Sequence, residues 1–238
     1  MDIETGNIDI TWGNDGIQAA TVLKAANGSI KITAGGGAAD TKQNFGGRNM
    51  PGFGGKTQTT DDEESTNGLK AGSLILIDEG GFEVSSKKDS FHSNGDIEIN
   101  GGSFTAAAGE DGFHADNNLI INGGSITVSQ SYEGLEGQKV TVTGGNIDIT
   151  ASDDGINAAS PSSSGSSVGG RLGNSDSNSL ITISGGYILV NASSDGIDSN
   201  GNVAITGGTV LVSGPTDNGN GAFDYGGEAT VSGGTGIF

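Results

Sequence analysis

KDSFHSN (88–94), EDGFHAD (110–116), YEGLEGQ (132–138) and DDGINAA (153–159) are four versions of one phrase. An acid recurs at Asp89, Asp111, Glu133 and Asp154, at steps of 22, 22 and 21 residues. Two positions after each acid stands an apolar residue: Phe91, Phe113, Leu135 and Ile156. A period of this length with carboxylates held in phase predicts a solenoid that sets acid above acid on successive coils. Gly-Gly pairs mark the same period. They begin at Gly80, Gly101, Gly123, Gly144, Gly185, Gly207 and Gly233, with gaps of 21, 22, 21, 41, 22 and 26. A corner that needs positive φ explains such pairs.

Outward from the four phrases, each period reads as Gly-Gly, an alternating strand such as SITVS (125–129), and an acid-Gly turn. A short apolar step such as FHA (113–115) follows, then a second alternating strand such as LIIN (119–122). Three short strands per period, with no helical spacing, predict an all-β parallel β-helix of three-sheet coils. Coils of 21–22 residues give about seven to eight coils in a single domain over 1–238. GNIDITWGNDGIQAA (6–20) opens the first turn with Asp15 in the acid position, and NGLKAG (67–72) puts Asn67 there in the second. The excess residues between them fall at about 38–66, a loop-forming and charged insertion. The gap of 41 places a second, low-complexity loop at about 160–178. GGTGIF at the end reads as a turn barely begun, in a protein that continues. The calcium-binding nonapeptide β-roll is excluded, because its period is much shorter.

The chain has 46 Gly and 3 Pro without a Gly-X-Y triplet repeat, which excludes collagen. In-phase Val, Ile and Thr in KVTVTG (139–144), SLITIS (179–184) and NVAITG (202–207) argue against disorder. Ten Lys plus Arg against 29 Asp plus Glu leave a net charge of −19, so nucleic acid is not expected as a partner. The absence of Cys excludes disulfides and thiolate metal sites. No apolar run approaches the roughly 20 residues of a membrane span. No leader is visible after Met1, which leaves a cytoplasmic chain and a trimmed secreted one both open.

In register, the acid column reads Asp15, Asn67, Asp89, Asp111, Glu133, Asp154 and Asp195. The column before it holds Lys88, Glu110, Tyr132, Asp153 and Ser194. Three positions on come Gln18, Lys70, His92, His114, Glu136, Asn157 and Asp198. Carboxylates stacked ~4.8 Å apart repel one another, so they need a cation, a raised pKa or a wet face. A hard divalent cation is the natural counter-charge, and Ca²⁺ accepts six to eight oxygens in irregular geometry. Two sets have the pattern of one acid beneath an acid pair: Glu133 beneath Asp153, Asp154 and Asn157, and Asp89 beneath Glu110, Asp111 and His114. A looser third set joins Asp154 to Asp195 and Asp198. An Asp-Gly pair is also an ordinary turn, whereas Glu is a poor turn-former and needs another reason to be in the column. Zinc is disfavoured, with His92 and His114 read as exposed ladder members and no thiol present. Trp12 and Tyr132 could each serve as a sugar platform or simply as packing.

KDSFHSN, EDGFHADNNLIINGGSI, YEGLEG, DDGINAA, SDGIDSNG and GPTDNGNGAFDY, in this order, resemble a family of secreted bacterial carbohydrate-binding proteins. These are calcium-containing, right-handed parallel β-helices related in shape to pectate lyases, and the resemblance spans roughly 5–238. The pattern at Glu133, Asp153, Asp154 and Asn157 is similar to the calcium site of one pectate lyase family. The resemblance implies a polysaccharide partner (cellulose, or pectic chains such as polygalacturonate), with Tyr132, Glu136, His114 and Lys139 as sugar contacts. It also implies a secreted or cell-surface location. Lyase chemistry on a uronate needs a Lys or Arg base beside the cation. Here Lys139 falls in the strand after the ladder, Arg171 in a loop, and Lys87 and Lys88 about two coils from Glu133. Binding without catalysis is therefore the expected activity; a pectate-lyase-like enzyme and a structural adhesion stalk are the alternatives.

Overall fold

The computed structural model describes residues 1–38, 65–160, 176–215 and 219–237. Among these the chain is a parallel β-solenoid without a helix. None of its elements is a helix long and apolar enough to cross a membrane. Most of both expected insertions, 38–66 and 160–178, lies outside the described residues, as does Arg171.

One face is a nine-stranded parallel sheet running from Asn7–Trp12 to Thr235–Ile237. The other two faces form one 15-stranded sheet, because Phe113–Ile121 and Leu135–Val142 pass through the bend as single continuous strands. There are thus three strand columns but two sheets. There are about nine coils, slightly more than expected, and the last is barely begun, its one short strand Thr235–Ile237 pairing in register with Thr209–Leu211. At ~4.8 Å per coil the rod is roughly 40 Å long.

Alternation puts β-branched and aromatic residues inside. Phe91, Phe113, Leu135, Ile156 and Ile197 pair in series and are completely buried. Rings stack between coils, with Phe91 and Phe113 4.4 Å apart and Phe82 and Phe104 4.9 Å apart, near-parallel in both pairs. Such pairs add about 0.5–1.5 kcal/mol beyond area burial. The Gly-Gly corners do adopt positive φ, as at Gly124 (φ 94). The glycine that follows every acid of the column except Asp89, where Ser90 stands, has a different reason. A Cβ on Gly134 would collide with Ile149 Cγ2 and lie 2.5 Å from the Gly155 carbonyl oxygen. The backbone there passes directly against the core and the neighbouring coil.

Candidate cation site

Coil register places the acid column as the spacing predicts. The residue after each column member donates its N–H to the next member's carbonyl: Gly16 to Asn67, Gly68 to Asp89, Gly134 to Asp154 and Gly155 to Asp195. The side chains then do something the sequence reading left out. Asp15 Oδ1 accepts the backbone N–H of Asn67 (2.8 Å), and Asn67 Oδ1 that of Asp89 (3.1 Å). Asp89 Oδ1 accepts from Asp111 (2.8 Å), Asp111 Oδ1 from Glu133 (3.0 Å) and Asp154 Oδ1 from Asp195 (2.8 Å). Asp195 Oδ1 continues to Gly221. Each Asp or Asn therefore ties its coil to the next through one oxygen, a bond that depends on a short side chain and does not require charge.

Glu133 is the exception among the described residues. Its longer side chain turns aside, and both of its oxygens accept from Asn157 Nδ2 at 2.9 Å. Asn157 is 7% exposed and its Oδ1, with no hydrogen-bond partner, is buried. An orphaned buried carbonyl of this kind costs about 1–3 kcal/mol, which asks for a ligand. Ligand atoms of Glu133, Asp153 and Asp154 lie within 4.8 Å of one another. The three carboxylates fit a hard cation such as Ca²⁺ and lack the nitrogen or sulfur that zinc favours, and the unpartnered Asn157 Oδ1 belongs to the side chain that holds Glu133. Burial pushes Glu133 up to about 10, helped by the negative charges of Asp111 and Glu136 and opposed by the Asn157 hydrogen bond. Burial likewise raises Asp154 to about 7, with Asp153 adding to the effect and the Asp195 N–H opposing it. A cation would oppose both shifts by favouring the charged carboxylates.

One coil earlier the protein supplies its own cation. His114 Nδ1 meets Asp111 Oδ2 at 3.2 Å and also Glu136 Oε2, and its Nε2 is 3.3 Å from Asp116 Oδ1. Burial would lower His114, but the hydrogen bonds to Asp111 and Glu136 outweigh it and raise it to about 12. Burial raises Glu136, and the His114 imidazolium more than reverses this. His92 repeats the arrangement with Asp89 at 2.7 Å and stacks on His114 at 5.0 Å. The histidines are therefore half-buried partners of the carboxylates, with His114 a counter-charge, and not exposed ladder members. Groups formed by Asp89, Asp111 and His114, and by Asp111, Glu133 and Glu136, also have ligand atoms within 4.8 Å.

The remaining candidates are more dispersed. Glu110 is exposed, with its carboxylate 4.0 Å from Lys88 Nζ. Asp198 pairs in register with Asn157 on one side and Asp224 on the other. Burial raises Asp198 to about 6, together with the charges of Asp195 and Asp224. Asp224 was missed as a member of this column, although Phe-Asp-Tyr (223–225) matches Ile-Asp-Ser (197–199) in pattern. Lys139 stands in the third strand column between Asn118 and Leu180, away from the carboxylates. Trp12 is in the end coil, in register with buried Ala34, and is 64% exposed. Tyr132 is 37% exposed, and its phenol is hydrogen-bonded to Asp153.

A family model described as carbohydrate-binding domain-containing protein matches residues 1–112 and 107–155. The chain belongs to that family. Among solved structures, it is similar to one described as the polysaccharide lyase-like protein from C. thermocellum, gadolinium derivative. The TM-score is 0.52 at 23% identity, covering 99% of this chain and 86% of that one, a likeness of fold. No curated protein matches the chain. Membership gives this carbohydrate-binding domain a polysaccharide as its expected class of partner and leaves the sugar to the chemistry of the site.

Proposed function

We propose that this chain is a calcium-dependent, non-catalytic polysaccharide-binding domain that works outside the cell, with Glu133, Asp153, Asp154 and Asn157 as calcium ligands. The observation that carries this reading is the departure of Glu133 from the ladder, together with the orphaned Asn157 Oδ1 beside it. Every other column side chain has a backbone partner that accounts for it; Glu133 and Asn157 have only each other. Calcium would supply positive charge where three carboxylates converge and, when bound, a coordination point for sugar oxygens. Among plant-type polysaccharides, polygalacturonate and cellulose are the ligands to test, the first because a uronate carboxylate can complete the coordination of such a cation.

The test pairs calorimetric calcium titration with retention on polygalacturonate gel and on cellulose, each with calcium and with chelator. Calcium uptake by the protein and chelator-sensitive retention are expected. A protein that takes up no calcium, or holds polysaccharide equally well in chelator, would sink the calcium reading. Retention by neither polymer would leave calcium-stitched adhesion as the better account. Release of unsaturated uronides absorbing in the ultraviolet would instead make the protein a lyase.

A further inference from the structure

We propose that Asn27 is a site of spontaneous covalent modification, where the fold assembles the geometry for deamidation and withholds it from the other described Asn-Gly pairs. The chemistry needs neither calcium nor sugar, so it stands or falls apart from the function proposed above.

In this reaction the backbone nitrogen of the residue after Asn gives up its proton to base and attacks the side-chain carbonyl carbon, Cγ. The new C–N bond closes a succinimide, and the bond from Cγ to the side-chain nitrogen breaks. That nitrogen takes a proton from solvent and leaves as ammonia. Water then opens the ring at one carbonyl or the other, giving aspartate or isoaspartate. Nothing is oxidised or reduced, and water is the one co-reactant.

At Asn27 the reacting groups are already together. The Gly28 N–H donates to Asn27 Oδ1 at 2.7 Å, which sets that nitrogen beside Cγ, as a near-attack arrangement requires. Asn27 is exposed, so base and water reach it. Gly28 has φ 127, a region that glycine enters freely, and carries no Cβ to shield its nitrogen. Elsewhere the same dipeptide is engaged differently. Asn67 is buried, and the Gly68 N–H donates to the Asp89 carbonyl at 2.9 Å. Asn94 Oδ1 is hydrogen-bonded to His92 Nε2 at 2.9 Å, while the Gly95 N–H donates to Ser93 Oγ at 3.2 Å. Asn100 Oδ1 accepts from Asn122 Nδ2, and Asn122 Oδ1 from Thr143 Oγ1, both at 2.9 Å. The N–H groups of Gly201 and Gly221 go to Ser199 Oγ and Asp195 Oδ1.

The position gives the product a consequence. The peptide unit just after the reacting one joins three coils: the Gly28 carbonyl accepts the Gly81 N–H, and the Ser29 N–H donates to the Gly6 carbonyl, each at 2.8 Å. Isoaspartate routes the backbone through an extra methylene immediately before this unit and displaces both bonds. Either product also adds a carboxylate one coil from exposed Glu79, since Ser29 and Gly81 are in register and Asn27 and Glu79 each stand two residues before them.

The experiment holds the folded protein in mildly alkaline buffer, beside the same chain unfolded in urea, and follows both by peptide mapping and ammonia release. In the folded protein Asn27 should convert to paired Asp and isoAsp peptides at least about tenfold faster than Asn100 or Asn122, since misplacing a reacting group by about 1 Å costs up to about a hundredfold. In urea the Asn-Gly pairs should convert at similar rates. Asn27→Gln closes a larger ring and should remove the early acidic form seen on ion exchange. Hydrogen exchange at Ser29 and Gly81 should quicken in the isoaspartate form. Folded Asn27 that stays intact while the unfolded chain converts would overturn the proposal, as would Asn100 or Asn122 keeping pace with it in the folded state. An early acidic form that survives in Asn27→Gln would place the reaction elsewhere, and unchanged exchange at Ser29 and Gly81 would overturn the loosening of the coils.

Discussion

Glu133→Gln is the substitution that most directly separates a cation site from a structural ladder. Glu133 is 8% exposed and its carboxyl is raised from 4.5 to about 10. A carboxyl whose folded pKa lies above its unfolded one contributes stability that is fully present below the unfolded value. That stability is lost as pH rises toward the folded value. Between about pH 5 and pH 8 the unfolded chain has released this proton while the folded protein without calcium retains it. One proton over about three pH units, at 1.36 kcal/mol per unit, is roughly 4 kcal/mol of destabilisation. For a chain of this size that lowers the melting temperature by about 8–16 °C.

Gln has the same length and does not titrate, and its Oε1 can still accept from Asn157 Nδ2. In chelator the variant should therefore melt above wild type at pH 8 and converge with it near pH 5. It keeps the part of the slope that belongs to Asp154, which is raised to about 7. In calcium the gap at pH 8 should close, because the cation replaces the proton in wild type and stabilises it by about 4.1 kcal/mol at a thousand times its dissociation constant. Differential scanning calorimetry at the two pH values, with and without calcium, measures all four quantities. Parallel pH slopes in chelator, together with equal calcium stabilisation, would refute the reasoning.

Asp154→Asn keeps the oxygen that accepts the Asp195 N–H and removes a charge, so calcium affinity should fall at least about tenfold while melting in chelator does not fall. Asp15→Asn, with the same bond to Asn67, is the control and should shift stability by no more than about 0.5 kcal/mol; equal calcium titrations for both variants and wild type would remove Asp154 from the site. His114→Gln removes the counter-charge between Asp111 and Glu136 and should cost about 3–5 kcal/mol by urea unfolding near neutral pH. Since His114 is raised from 6.5 to about 12, its contribution is full below about pH 6.5 and lost as pH rises toward 12, so the deficit should shrink in alkali. Gly134→Ala places a Cβ against Ile149 and the Gly155 carbonyl and should destabilise by about 1–3 kcal/mol in calcium and in chelator alike, read as a shifted urea midpoint.

The fold was legible because a solenoid repeats its constraints. The step of 22 from Asp89 to Asp111 is also the register of their strands, and the apolar residue two positions on points inward by alternation alone. The coil count was less legible, since a strand as short as Thr235–Ile237 is recognised by its partner more than by its own sequence. At the site, the sequence brought Glu133, Asp153, Asp154 and Asn157 together but not the direction of their oxygens. The ladder of side-chain oxygens on backbone N–H groups was visible in one letter, Asn67. An amide in an acid column marks a position where an acceptor is needed and a charge is not. The histidines were harder. His92 and His114 looked like exposed ladder positions, and only the bend shows Asp89 reaching His92, and Asp111 and Glu136 reaching His114 from two coils.

The column also explains why a cation reading belongs at one coil boundary and not along its whole length. Six of its members, Asp15, Asn67, Asp89, Asp111, Asp154 and Asp195, close a bond to the next coil with one oxygen, and stacking alone can account for their presence. Where Asp89 and Asp111 crowd together, His114 brings positive charge within the protein itself and His92 hydrogen-bonds Asp89. Glu133 keeps the phase of the repeat but is one methylene too long for its bond. It meets an amide whose carbonyl is buried without a partner, beside two further acids that have no histidine of their own. A repeat tolerates such a break only at a cost in stability, and a bound cation would satisfy the orphaned oxygen and neutralise the clustered charge in one step. Stacking supplies the scaffold, and the single residue that keeps its place while abandoning the ladder is where the proposed cation would sit.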